Sequence, residues 1–476
     1  MGQEIDVVDF EQKDFKAFKK QLQQETATLQ DWFDQQAFSI RSSIGGYELE
    51  SWLLDQEHKP AARNTEYLEQ LNNELVVPEL ALFNVEMNSS PLALQTDALS
   101  RMQGELQGIF DDCASTAEKM QMHLIMIGCL PTVKDTDLVL KNMSLMQRYK
   151  ALNQQVMRLR QGRPLQLNIH GEEHLQSTHY DVMLESAATS FQIHLQVPQQ
   201  HAVRYYNASM IASGPMVAAC TNAPYLFGKS LWSETRIPLF EQSVEVGGIA
   251  GAAFGPVHRV SFGTGYARES LFECFAENLE HFPILLPIDL TDSADALAHL
   301  RLHNGTIWRW TRPLIGFDYD GKPHLRIEHR TVPAGPTVKD SIANLALFYG
   351  LSHYLANLKR APETNIEFAH ARDNFYNAAK FGLDANFMWH GEHVPARTLL
   401  LEELLPHVRD SLRALNINAT DIDDYIGIIQ ARIEKKQTGA HWQRAYVKQH
   451  DASMQQLTAA YLQHQQSGEP VHSWPV

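Results

Sequence analysis

"SSIGGYELESWLLD", residues 42–55, decides how the rest of the chain is read. Tyr47, Leu49, Trp52, Leu53 and Leu54 have core-type side chains, yet Glu48 and Glu50 stand among them two positions apart. A β-strand turns successive side chains to opposite faces. Read as a strand, this segment puts both carboxylates on one face with Tyr47 and Leu49 behind them. The same alternation recurs three times. In "LFNVEMNSS", 82–90, Asn84, Glu86 and Asn88 share a face, backed by Val85 and Met87. In "TSFQIHLQVP", 189–198, Gln192, His194 and Gln196 share one, backed by Ile193 and Leu195. In "PHLRIEHRTV", 323–332, Arg326, Glu328 and Arg330 share one, backed by Leu325 and Ile327.

Each stripe alone reads as the wet side of a half-exposed antiparallel sheet. On one sheet, the four stripes would crowd Glu48, Glu50, Glu86 and Glu328 together. Carboxylates at such density repel unless cations compensate, and hard oxygen ligands suit Mg²⁺ or Mn²⁺. The interleaved Arg326 and Arg330 suit phosphate, because a guanidinium offers a planar fork of donors. Carboxylates, divalent cation and arginines together describe the electrostatics of phosphoryl transfer.

The bulk properties set the frame. The chain has 476 residues, 44% hydrophobic and 20% charged, with a formal net charge of −16. That is a soluble globular composition, and with no basic block it argues against nucleic acid as a partner. Cys113, Cys129, Cys220 and Cys274 are dispersed without CxxC spacing. This fits a reducing, cytoplasmic setting with no required disulfide and no zinc framework. The opening "MGQEIDVVDFEQKDFKAFKK" is charged throughout, unlike a secretory signal. "SIANLALFYGLSHYLANL", 341–358, is interrupted by Asn344, His353 and Asn357, so it reads as a buried helix and no membrane span is expected.

Apolar residues at helical spacing predict helices over 8–37, 95–122, 135–160, 337–360, 398–414 and 420–463. Strands are predicted over 44–54, 80–88, 165–170, 188–198 and 323–332. Helices of varied length without a regular βαβ rhythm indicate an α+β fold.

Other motifs offer rival chemistries. "HGEEH", 170–174, satisfies HxxEH, but a zinc peptidase needs it on a helix; here it follows the strand-like "LQLNI" and contains Gly171. It reads as a polar turn. The cysteines lie in apolar or helical surroundings, which suits inert thiols rather than nucleophiles. No GxxxxGK[ST] loop is present, so the chain is not a P-loop ATPase. "GGIAGAAFG", 247–255, reads as a flexible loop and a candidate lid.

Taken in order, the motifs resemble those of the glutamate–cysteine ligase family of the second type, among the glutamine-synthetase-like carboxylate–amine ligases. "GYELESWLLD" resembles its opening G-x-E-x-E-x-x-L-x-D strand, and "LFNVEMNSSP" its second acidic strand. "TSFQIHLQVP" and "ACTNAPYLFGKSLWSETRI" resemble its central strand and the Asn-x-Pro…Gly…Ser-x-x-Arg segment after it. "LRIEHRTVPAGPT" resembles its late Arg-x-Glu-x-Arg strand. "DNFYNAAKFGLDANF" and "VPARTLLLEELL" resemble its C-terminal helical signature.

The resemblance implies a glutamine synthetase/guanido kinase-like fold: a curved, mostly antiparallel sheet with helices on its back face. It implies an N-terminal helical extension over 1–40, a catalytic domain over 41–415, and a C-terminal helical segment and tail over 416–476. ATP and Mg²⁺ or Mn²⁺ would occupy the open face. Glu48, Glu50, Glu86 and Glu328 would be metal ligands, with Gln192 and His194 on the central strand. Many relatives carry His-x-His there and others Gln, which leaves open whether Gln192 or His194 meets the metal. Arg330 and Arg326 would face the nucleotide phosphates, Arg330 with a catalytic role. Arg236 would face the substrate carboxylate or the transferred phosphate, also with a catalytic role. Arg148, Tyr149 and Asn222 would lie at the substrate.

The implied reaction is ATP-dependent joining of glutamate to an amine through an acyl phosphate, with cysteine as the amine and γ-glutamylcysteine as the product. Other amines, a phosphagen-kinase-like activity that releases no free phosphate, and an inactive nucleotide-binding homologue are the alternatives. Small-molecule substrates are the expected partners, and a homo-oligomer stays open.

Overall fold

The Glu48 and Glu50 segment becomes the longest strand of an eight-stranded sheet in the computed structural model, which describes residues 4–5, 7–41, 43–246, 258–290 and 293–476. The strands are β1 (Ile44–Leu54), β2 (Val76–Pro78), β3 (Asn84–Asn88), β4 (Leu92–Ala93), β5 (His123–Ile125), β6 (Phe191–Val197), β7 (Thr311–Phe317) and β8 (Pro323–Val332). Their order is β7-β8-β6-β1-β3-β2, with β4 and β5 also pairing with β1, and every pairing is antiparallel.

The register carries the polar stripes across the sheet in line. Glu50 stands opposite Glu86, and Glu48 stands between Asn88 and Gln192. Glu328 stands between His194 and Arg312, and Arg326 faces Gln196. Partners directly opposite in a ladder share a face, so the four stripes form one polar surface. Leu49, Met87, Ile193, Leu195, Leu325 and Ile327 point the other way, into the main apolar core.

Helices cover that apolar back. The main helices are α1 (Gln12–Asp34), α2 (Ala98–Lys119), α3 (Gln147–Leu159), α4 (Gln199–Cys220), α5 (Arg236–Ser243), α6 (Phe272–His281), α7 (Ala298–Gly305), α8 (Val338–Ala356), α9 (Phe368–Phe381), α10 (Leu405–Ala414), α11 (Ala419–Glu434), α12 (Gly439–His450) and α13 (Met454–Gln466); α3, α12 and α13 bury their apolar side chains away from this back. α4 and α8 are buried along most of their length and pack on each other, with α9, α10 and α11 outside them. A second apolar cluster joins Trp52 and Phe83, stacked with ring centroids 5.3 Å apart, to Trp442, Tyr461 and Trp474 of the C-terminal region. α1 lays Phe18, Leu22, Leu29 and Phe33 into the main core and packs against α6 and α7. Its buried Glu25 accepts from the Leu300 amide at 2.8 Å and contacts His299 Nδ1 at 2.6 Å.

Some predicted elements change. The helix expected over 135–160 begins only at Gln147. Before it, Asp137 accepts from the Lys134 amide and Asn142 donates to the Asp137 carbonyl, closing two 3₁₀ turns instead. The helix expected over 420–463 is three helices. Lys436 and Asp451 take left-handed backbone at their ends, and Ser453 and Gln456 form a capping box at the start of α13. The glycine-rich stretch 247–255 lies outside the described residues. No helix among the described residues is long and apolar enough to cross a membrane.

Candidate active site

Two clusters of ligand-type side chains sit on the polar face. One joins Glu48, His194 and Glu328; the other joins Glu50, Glu86 and Glu79. In the first, His194 Nε2 lies 3.7 Å from a Glu48 oxygen and 3.6 Å from Glu328 Oε1, and it is buried without a hydrogen-bond partner. The Tyr349 hydroxyl donates to the His194 carbonyl at 3.1 Å and fixes the strand beneath it. Burial pushes the Glu328 carboxyl upward, but the Arg312 and Arg330 guanidiniums beside it hold it well below the usual carboxylate range.

The second cluster has the opposite balance. Glu86 is fully buried and neither of its oxygens meets a donor. Burial, then the charges of Glu48, Glu79 and Glu50, push its carboxyl well above the ordinary range. Glu50 accepts from the Ser190 amide at 2.7 Å, the Ser190 hydroxyl at 2.8 Å and Gln192 Nε2 at 3.2 Å. Burial and Glu79 still raise it to about 7. A buried carboxylate group with unmet oxygens is a poor resting state for protein alone, and a hard divalent cation is the partner such donors fit. The histidine in the first cluster leaves that site open to Mn²⁺ as well as Mg²⁺.

Gln192 and His194 are held differently. His194 belongs to the ligand cluster, whereas the Gln192 amide bridges, its oxygen accepting from Arg330 Nη1 and its nitrogen donating to Glu50. Arg330 also donates to Glu328 Oε2 at 3.1 Å. Arg326 follows on the same face, half-buried and two positions before Glu328.

Arg148 and Tyr149 lie at the other end. Arg148 Nη2 donates to the Tyr149 hydroxyl at 2.8 Å, and both residues feel the charge of Glu79. Arg236 is buried; its Nη2 donates to the carbonyls of Arg330 and Thr331 at 3.1 and 2.6 Å, so it holds the end of β8. Its neighbour Glu234, raised to about 7 by burial, accepts from the Asn222 amide at 2.9 Å. Asn222 is not brought to the open face. Its side chain bonds the Ala334 carbonyl, the Tyr461 hydroxyl and Gln443, which makes it a brace between the sheet and the C-terminal helices. The HxxEH histidines form a cross-strand pair in an exposed hairpin, His170 opposite His174 with ring centroids 4.0 Å apart, and not a helical pair.

Sequence reading missed Glu79, Glu185 and Arg312. Glu185 is pushed well above the ordinary range by burial, Glu79 and Glu50. The signal for Glu79 and Glu185 was present, as single acids inside the runs "VVPELALF" and "VMLESAA".

The glutamate-cysteine ligase family 2 model matches residues 44–462, a span that holds every one of these side chains. The chain belongs to glutamate-cysteine ligase family 2. As a member of that family it is an ATP-dependent carboxylate–amine ligase, forming an amide bond. Its fold is that of a glutamate–cysteine ligase from Francisella tularensis solved in complex with AMP, with a TM-score of 0.57 at 10% identity over 90% of both chains. A bifunctional glutathione synthetase from Pasteurella multocida matches with a TM-score of 0.51 at 9% identity, over 93% of this chain and 54% of that one. No curated protein sequence matches the chain.

Proposed function

We propose that the chain joins the side-chain carboxylate of L-glutamate to the amine of L-cysteine at the expense of ATP, giving γ-glutamylcysteine, ADP and phosphate. The observation that carries this reading is the pair of ligand clusters on one sheet face beside Arg330, in a chain of this family. In the first step a glutamate carboxylate oxygen bonds to the γ-phosphorus and the bond to the ADP oxygen breaks. In the second the amine nitrogen bonds to the acyl carbon, phosphate leaves with its electron pair, and the amine gives up a proton.

The residues divide the work. Glu48, His194 and Glu328 would hold one divalent cation, and Glu50, Glu79 and Glu86 a second. Bound there, Mg²⁺ or Mn²⁺ would neutralise charge on the transferring phosphoryl group. Arg330 and Arg326 offer guanidinium donors along the phosphate path. Arg148 and Tyr149, beside Glu79, are the proposed substrate contacts, and Arg236 supports Arg330 from below. Gln192 locks Arg330 to Glu50. Four buried free thiols suit a reducing, cytoplasmic setting.

The test is phosphate release from Mg²⁺-ATP and glutamate, screened against amines with the amide product measured in parallel. One phosphate per γ-glutamylcysteine, with cysteine the best amine, is the expected outcome. Arg330→Lys, which keeps charge but loses the fork, should cut turnover about a hundredfold or more, while its lost buried bonds lower the melting temperature without unfolding the protein. Faster amide formation with a different amine would reassign the acceptor. Phosphate release without any amide would sink the ligase reading of this site.

A further inference from the structure

Glu328 is gripped from the side by Arg312 of the edge strand β7. Arg312 stands opposite Glu328 in the β7–β8 ladder and is buried. Its Nε donates to Glu328 Oε2 at 2.9 Å, and its Nη2 lies 2.9 Å from Oε2 and donates to Oε1 at 3.1 Å, so the grip falls mainly on Oε2. The remaining edge is also spent. Nη1 donates to the carbonyls of Asn304, Gly305 and Ile307 at 3.2, 3.2 and 3.3 Å, at and just beyond the C-terminus of α7. Carbonyls at a helix C-terminus favour a cation, so the guanidinium is fixed on both sides.

Lone-pair counting gives this grip a consequence. A carboxylate oxygen accepts about two hydrogen bonds. Glu328 Oε2 takes Arg312 Nε and Arg330 Nη1, which fills it. Oε1 takes only Arg312 Nη2, and it is the oxygen 3.6 Å from the orphaned His194 Nε2.

We infer that Arg312 is a positioning residue that makes Glu328 a one-oxygen ligand, presenting Oε1 alone to the cation shared with His194 and Glu48. The inference rests on the metal-binding reading above. The rival is a stand-in role, in which Arg312 occupies Glu328 until a cation displaces it. The three carbonyl bonds argue against a side chain free to leave.

The experiment is a Mn²⁺ titration of the full-length, nucleotide-free protein, with free Mn²⁺ followed by electron paramagnetic resonance. Wild type, Glu328→Gln and Arg312→Lys are compared. Arg312→Lys keeps the charge and loses the fork. It should weaken one of two Mn²⁺ sites about tenfold or more, the usual size of an outer-shell effect, and leave the other unchanged. Glu328→Gln should weaken the same site. If Glu328→Gln leaves both sites intact, the metal reading fails and the inference falls with it. If Glu328→Gln weakens a site and a folded Arg312→Lys does not, the inference alone is wrong. Should Arg312→Lys fail to fold, wild type decides through its arginine Nε–H resonances. The exchange-protected signal that disappears in Glu328→Gln should persist at saturating Mg²⁺; its loss on adding Mg²⁺ would establish the stand-in role and overturn the inference.

Discussion

Glu86 shows what the site asks of a single residue. Its carboxyl is buried, receives no donor, and faces Glu79, Glu50 and Glu48. Ionised, it has no donor in the protein to offset its burial, which is the mark of a group kept for a partner. Glu86→Gln preserves the size, removes the charge and adds an amide that can donate to a neighbouring carboxylate. In chelator at neutral pH the variant should be more stable than wild type, on the order of 1 kcal/mol, the worth of one pKa unit. In Mg²⁺ the order should reverse, since only wild type gains from the cation. Urea unfolding of both proteins, with chelator and with Mg²⁺, measures this directly. A wild type that is the more stable of the two in chelator would mean that the cluster is balanced by the protein itself.

At the scale of elements, what was legible followed the period of each segment. β1, β3, β6 and β8 alternate cleanly because one face is apolar core and the other is the site, so each strand's pattern showed in sequence. α4 did not show, because it is buried nearly all round. "YNASMIASGPMVAAC" has no polar face to set a helical period, and Gly214 and Pro215 read as breakers. Gly214 lies where a Cβ would meet the Asn374 backbone at 3.2 Å, so the apparent breaker is a close helix contact. β7 was hidden by Pro313 and Gly316, which a central strand would not carry; it lies at the edge of the sheet, where proline is tolerated. Missing β7 also meant missing Arg312. Coplanarity of the stripes needed the register, which no spacing gives. Within β1 the adjacent glycines differ in kind. A Cβ on Gly45 would meet the Tyr349 hydroxyl at 2.3 Å and Leu94 Cδ2 at 2.8 Å, whereas on Gly46 it would meet only Ser89 Oγ, at 3.1 Å. Tyr349 holds the Gly46 and His194 carbonyls. Gly45→Ala should therefore cost about 1–3 kcal/mol by overpacking and loosen the strand under His194, while Gly46→Ala should cost less. Urea midpoints of the two variants side by side decide it; equal stability would show that Tyr349 moves aside freely.

Over the whole molecule, the clusters couple stability to pH and to divalent cations, and the sign follows from the shifts. Glu50, raised from 4.5 to about 7, and Glu86, raised further, bind protons in the folded state that the unfolded chain has already released. Such groups contribute stability that is fully present below the unfolded value near 4.5 and is lost as pH climbs through the folded one. Glu328 works the other way: held low by Arg312 and Arg330, it contributes above the unfolded value and is lost in acid. Without cations the protein should therefore be most stable near pH 5 and soften steadily toward pH 7.5, where its net negative charge above a sequence pI of about 5.7 acts in the same direction. A cation binds the ionised carboxylates, so its stabilisation grows as those protons leave. Melting temperatures taken from pH 5 to 8 should fall in chelator and flatten or rise in Mg²⁺, with the two curves converging at the acid end. The divergence should shrink in Glu86→Gln, because one of the titrating groups is gone. Parallel curves across the range, with Mg²⁺ adding the same increment at pH 5 and pH 8, would mean that the raised carboxylates are not the groups that meet the cation.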